Sequence, residues 1–253
     1  MSAETLTTFL SSCPGITTLY LRGSSVGPHL LPVLAEMQIK RLGIALMDLF
    51  PEGGFDGGHA LFRSVTHLEI LLPDYMDLSG WDIPIGRMPS LTHLTFTIAP
   101  GPAVIRPLLK RCPSLRVLRL FPVLQPPGPE NTRAFTRRYI SDAQLESPDA
   151  RIVMYGVPHR YDRSQWVLAA RGEDDVWIPA GQFIERKRRG EVGDSLSVGE
   201  SVLERTFLEL SFLPLYLVLR FLDEKSDGTS WSRQSNDTGE VLESRRYTEG
   251  ADA

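Results

Sequence analysis

The chain has 253 residues, a net charge of −4 and a pI near 5.8, so it lacks the cationic excess that would make nucleic acid or an acidic membrane its main partner. Hydrophobic residues at 42% and charged residues at 23% are ordinary for a soluble globular protein. Two cysteines, Cys13 and Cys112, exclude a disulfide framework and fall short of a structural zinc site. Both suit small buried side chains in a reducing compartment, cytoplasmic or nuclear.

The N-terminal MSAETLTTFLSSCPG has no basic stretch ahead of an apolar core, so no signal peptide is expected. Residues 5–12 read as a helix running into FLSSCPGITTLYL at 9–21. That text returns almost letter for letter as LLKRCPSLRVLRLF at 108–121. Each copy reads as a helix end, a Cys-Pro corner and a strand. In the second, Leu115, Leu118 and Leu120 point inward, and Val117, Arg119 and Phe121 point outward.

The template aliphatic-x-x-Leu-x-aliphatic occurs five times, with central leucines at 19, 42, 68, 94 and 118 and spacings of 23, 26, 26 and 24. A period in the 20s with this signature marks leucine-rich repeats, whose units hide their apolar edges only by stacking. The chain is therefore expected to be an α/β leucine-rich-repeat solenoid, a curved parallel sheet with helices or irregular turns on its convex side. A sixth strand is expected at 151–155, with Ile152 and Met154 inward. Six strands at ~4.8 Å would give a ladder of about 24 Å. Returns between strands read as helices at 28–38 and 103–111, the second kinked or shortened by Pro107, a shorter one at 57–64, and a single 3₁₀ turn at 82–89. The asparagine that many such repeats place after the strand is missing, so the ladder of main-chain groups must be satisfied otherwise.

Residues 122–131, PVLQPPGPEN, read as a proline-rich loop, and 141–146 as a short helix. Asp174 or Asp175 could cap a helix that ends at Lys187, Arg188 and Arg189, with Val176, Trp177, Ala180, Phe183 and Ile184 on one face. With Trp166 it is expected to close the open C-terminal end of the solenoid. The domain plan is then solenoid at 1–156, helical cap at 157–190, an apolar segment of undetermined structure at 191–222, and a disordered tail at 223–253. The apolar run at 207–222 contains Glu209, Pro214 and Arg220 and is shorter than the ~20 residues a membrane span requires.

No phosphate-binding, dinucleotide, zinc-protease or nucleophile-elbow motif is present in the sequence, so no catalytic residue, metal or cofactor is assigned. His67 and His93 recur in Thr-His-Leu at one template offset, which puts them on neighbouring rungs roughly 5 Å apart. Arg41 takes that offset one rung earlier, and Glu69 lies beside His67. Tyr20, Arg22, Arg41, His67, Glu69, His93, Arg119 and Phe121 would form an outward, concave face whose arginine, aromatic and polar mixture suits a protein ligand of unknown identity. Two other readings stay open: a metal-dependent hydrolase using His67, His93 and Glu69, and a membrane-associated protein anchored by 207–222.

The repeats resemble the leucine-rich-repeat region of F-box-type proteins of mushroom-forming fungi. The resemblance is carried by the Cys-Pro blocks at 13–21 and 112–120, by Arg171-Gly172-Glu173-Asp174 with Trp177, and by Lys187-Arg188-Arg189. It covers about residues 5–190. It implies a non-catalytic substrate-recognition part serving ubiquitin-ligase assembly. Such a protein would carry its F-box ahead of the repeats, and none is recognised here, so docking to the ligase adaptor is not expected of this chain.

Overall fold

Leu19, Leu42, Leu68, Leu94 and Leu118 stand in one file through the middle of a parallel sheet, each the register partner of the next, and Ile152 continues the file. All six are fully buried. The computed structural model describes residues 2–51, 54–72, 78–121, 149–155, 166 and 177–192, together with the backbone of strands at 197–198, 215–221, 231–235 and 241–245. The expected loop at 122–131 and helix at 141–146 lie outside the described residues.

The strands β1 (Ile16–Gly23), β2 (Arg41–Ile44), β3 (His67–Ile70), β4 (His93–Phe96), β5 (Val117–Leu120) and β6 (Ile152–Tyr155) lie side by side in chain order. β7 (Ser197–Val198) extends the sheet in parallel beyond β6, and β8 (Leu215–Phe221) pairs antiparallel with β1. Part of the apolar run at 207–222 is thus a strand covering the first edge of the sheet, which would otherwise present open main-chain groups. Within 223–253, expected as a disordered tail, β9 (Trp231–Ser235) and β10 (Val241–Arg245) form an antiparallel pair.

Among the described residues, α1 and the returns between β1 and β5 pack on one face, here the inner face. α1 (Ala3–Ser11) is capped by Ser2, whose Oγ accepts from Thr5 N at 3.2 Å. The helix expected at 28–38 is two pieces, a 3₁₀ turn at Pro28–Leu30 and α2 at Leu31–Glu36. Pro32 has no N–H to continue a helix from the first turn and stands instead in the opening turn of the second. α3 (Leu46–Leu49) is an additional short helix, Ala60–Phe62 is a 3₁₀ turn, and α4 (Asp82–Gly86) is α-helical where a 3₁₀ turn was expected. α5 (Pro102–Arg111) tolerates Pro107 within its length. Leu6, Leu10, Leu34, Leu61, Ile85, Ile105 and Leu108 from these returns share one core with the leucine file.

Side chains at the corners ahead of the strands satisfy main-chain carbonyls. Thr66 Oγ1 donates to Lys40 O at 3.0 Å, and Thr92 Oγ1 donates to Thr66 O at 3.1 Å. Ser64, Ser90 and Ser114 each donate to a carbonyl one rung back, at 2.9, 2.8 and 3.2 Å. The main chain does the same, with Thr66 N and His67 N both donating to Lys40 O. The carbonyls at these bends are therefore satisfied without an amide side chain.

The helix α6 (Trp177–Arg188) buries Trp177, Ala180, Phe183 and Ile184, the face read from the sequence. Its position differs from the expectation. It lies on the outer face of the sheet against Val117, Phe121 and Val153, not across the open end. Val117, Phe121 and Val153 give this part of the outer face an apolar patch that draws the helix, and β7 continues the end.

Candidate functional site: a polar sheet face under Trp177

Alternation along each strand sends Leu19, Leu42, Leu68 and Leu94 inward and their neighbours outward. The register then assembles two outer rows. One runs Thr18, Arg41, His67, His93, Val117. The other runs Tyr20, Gly43, Glu69, Thr95, Arg119, Val153.

In the first row the imidazoles of His67 and His93 stack with centroids 4.0 Å apart and planes 10° off parallel. Their Nδ1 atoms lie 2.9 and 2.8 Å from the hydroxyls of Thr66 and Thr92. Each of those hydroxyls has already given its one proton to a carbonyl, so each can only accept from the imidazole. A ring that carries Nδ1–H satisfies this arrangement at both positions. Burial pushes His67 down to about 3, with the charges of His93 and Arg41 adding to the effect.

The indole of Trp177 stands edge-on to both imidazoles, 5.3 Å from each. On the next row the Arg119 guanidinium lies 4.9 Å from the same indole and 5.4 Å from the Phe121 ring. Glu69, Thr95 and Arg119 are 2%, 0% and 2% exposed. At the other end of the face Trp166 packs on Tyr20 at 5.1 Å, over Gly43.

Of the residues expected on an open face, Tyr20, Glu69, Arg119 and Phe121 are buried, and Arg22, Arg41, His67 and His93 are half-buried. The structure gathers His67, His93, Arg119 and Phe121 around Trp177. Tyr20 belongs with Trp166. Arg22 stands apart, in a cleft of about 530 Å³ at the carboxyl ends of β1–β3 that it shares with Asp48, Leu71 and Leu72. Sequence reasoning placed Trp166 and Trp177 at the end of the solenoid and so missed them as members of this face. An amphipathic helix announces that one side is buried, not which surface receives it.

The metal reading has weak geometric support. Among the described residues no group of three His, Cys, Asp or Glu side chains could hold an ion. Burial pushes the Cys112 thiol up to about 11, against the pull of Arg151 and with a push from Asp82, so it is a protonated thiol at neutral pH. No helix among the described residues is long and apolar enough to cross a membrane. Compared with protein-family models, with curated proteins and with solved structures, the chain matches none.

Proposed function

We propose that the chain is a leucine-rich-repeat solenoid acting as a non-catalytic protein-interaction module, the substrate-recognition part of an F-box-like protein, with the outer sheet face as its recognition surface. The observation that carries this reading is the contrast between the two faces of one sheet. The inner file is leucine and isoleucine throughout, whereas the outer rows hold arginine, histidine, glutamate and aromatic residues. Arginine and aromatic side chains on a rigid strand scaffold are the usual anchors of protein recognition. The seating of α6 supports the reading further, since a helical segment with an aromatic anchor already fits this face. The free thiols of Cys13 and Cys112 suit a reducing compartment, the cytoplasm or nucleus.

The test is a photo-cross-linker introduced in place of Arg41, on the outer face, or of Glu36, on the exposed side of α2. After capture from a native cell extract, the linker at 41 is expected to trap the partner and the one at 36 to trap nothing specific. Trapping at 36 alone would move recognition to the helical side and overturn the proposal.

A further inference from the structure

Glu69, Thr95 and Arg119 are as deeply buried as the leucines behind them. A surface that stays dry permanently does not favour such residues. Withdrawing a carboxylate, a hydroxyl and a guanidinium from water costs more than packing aliphatic side chains of the same volume. A surface that is wet for part of its life tolerates both states.

The helix whose Trp177 lies against Arg119 is weak on its own. It has twelve residues, near the lower limit for a helix standing alone in water. Gly181 sits in its middle, where glycine is the poorest helix former after proline. Its grip on the sheet comes through Trp177, Ala180, Phe183 and Ile184, and its opposite side carries exposed Arg186 and Ile178, the latter 56% exposed. α6 is therefore helical because it is docked, and undocking returns a flexible segment and uncovers His67, His93 and Arg119 beside the apolar patch of Val117, Phe121 and Val153.

We infer that α6 is an exchangeable occupant of the outer face, a self-ligand that a partner displaces by presenting its own amphipathic helix with an aromatic anchor. The chain's own helix supplies the pattern. The anchor stands edge-on to the His67–His93 stack with its face toward Arg119. A small residue follows three positions on, an aromatic six on and an aliphatic seven on, as Ala180, Phe183 and Ile184 follow Trp177. The inference rests on the outer face being the recognition surface and adds what fits it and what the partner must first remove.

The test uses the full chain and a fluorescein-labelled peptide of residues 174–191. Trp177→Ala weakens the internal occupant and should raise the apparent affinity for the peptide about ten-fold or more over the wild type, because a larger fraction of molecules has an open face. The same peptide with alanine for its tryptophan should bind neither protein. Equal binding to both proteins, or binding to neither, overturns the inference. Hydrogen exchange on the unmodified chain is a second measurement, independent of whether the variant folds. Amides of 177–188 should exchange roughly a hundred-fold faster than those of β2–β5. Protection equal to that of the strands would make α6 part of the permanent core and also overturn it. If these arms fail while the linker at 41 still traps a partner, exchange is lost and the recognition reading stands; if the peptide binds as expected and trapping occurs at 36 alone, the recognition reading is lost.

Discussion

The guanidinium of Arg119 lies 4.9 Å from the ring centre of Trp177, although Arg119 sits in a strand and Trp177 opens a helix fifty-eight residues later. Away from water, a cation over an indole face is attracted by the ring quadrupole by about 1–2 kcal/mol. This contact joins the sheet to its cover through chemistry that a purely aliphatic interface lacks.

A double-mutant cycle should measure it. Arg119→Met and Trp177→Leu, singly and together, are expected to show a coupling of about 1 kcal/mol in urea denaturation. Strictly additive losses would mean that the two side chains are neighbours without a mutual attraction.

The histidine stack predicts a pH dependence. His67 falls from its ordinary 6.5 to about 3 in the folded chain, through burial first and then the charges of His93 and Arg41. Between those values the unfolded chain takes up a proton that the folded chain refuses. Its contribution to stability is therefore complete above pH 6.5 and is lost as the pH falls toward 3. For one group the slope approaches about 1.4 kcal/mol per pH unit within that window. Urea midpoints measured from about pH 6.5 to about pH 4.5 should fall less steeply for His67→Gln than for the wild type. Identical slopes would assign the loss to another group.

The rungs of this fold are legible in the sequence because each repeats the same local demand. Leu19 and Leu118 sit at one offset from a Cys-Pro corner, and alternation about them fixes which neighbours face outward. The same offset predicted that His67 and His93 would meet, and their rings do meet. What could not be read is long-range. Nothing local to Trp177 names Arg119 or the imidazoles as its partners. Leu215–Phe221 is apolar but for Arg220, and such a run does not distinguish a strand from a buried helix by periodicity. α3, at four residues, is too short to establish a helical period.

Gly43 offers a steric test of the Trp166 seat. A methyl group at this position would lie 2.7 Å from Trp166 Cζ2 and would also collide with the Tyr20 ring. The glycine is therefore what lets the two aromatic rings close over β2. Gly43→Ala is expected to cost about 1–3 kcal/mol in urea denaturation, as overpacking of a filled site does. It should also shift tryptophan emission to the red as the Trp166 indole leaves its buried position. Unchanged stability and emission would mean that Trp166 does not depend on this gap.

Arg151 closes the fifth turn of the stack. Its Nη1 donates to Cys112 O at 3.1 Å, its Nη2 to Leu109 O at 3.2 Å, and its Nε and Nη2 hold the Asp149 carboxylate at 3.0 and 2.8 Å. The two carbonyls belong to the C-terminal end of α5, where a cation offsets the helix dipole. Burial alone would raise Asp149, but the hydrogen bonds and charge of Arg151, with Lys187 beyond, hold it below its ordinary 3.8. A carboxylate lowered in this way stabilises the fold above pH 3.8, and that contribution is lost as the pH falls through the folded value. Asp149→Asn should therefore cost about 1–3 kcal/mol at neutral pH and abolish this part of the acid-side loss. Arg151→Lys should cost nearly as much, because an ammonium cannot span two carbonyls and both carboxylate oxygens as the planar fork does. Urea denaturation at neutral pH and at about pH 3 reads both effects. Full stability in Arg151→Lys would show that a point charge is sufficient at the end of α5 and that the forked geometry adds nothing.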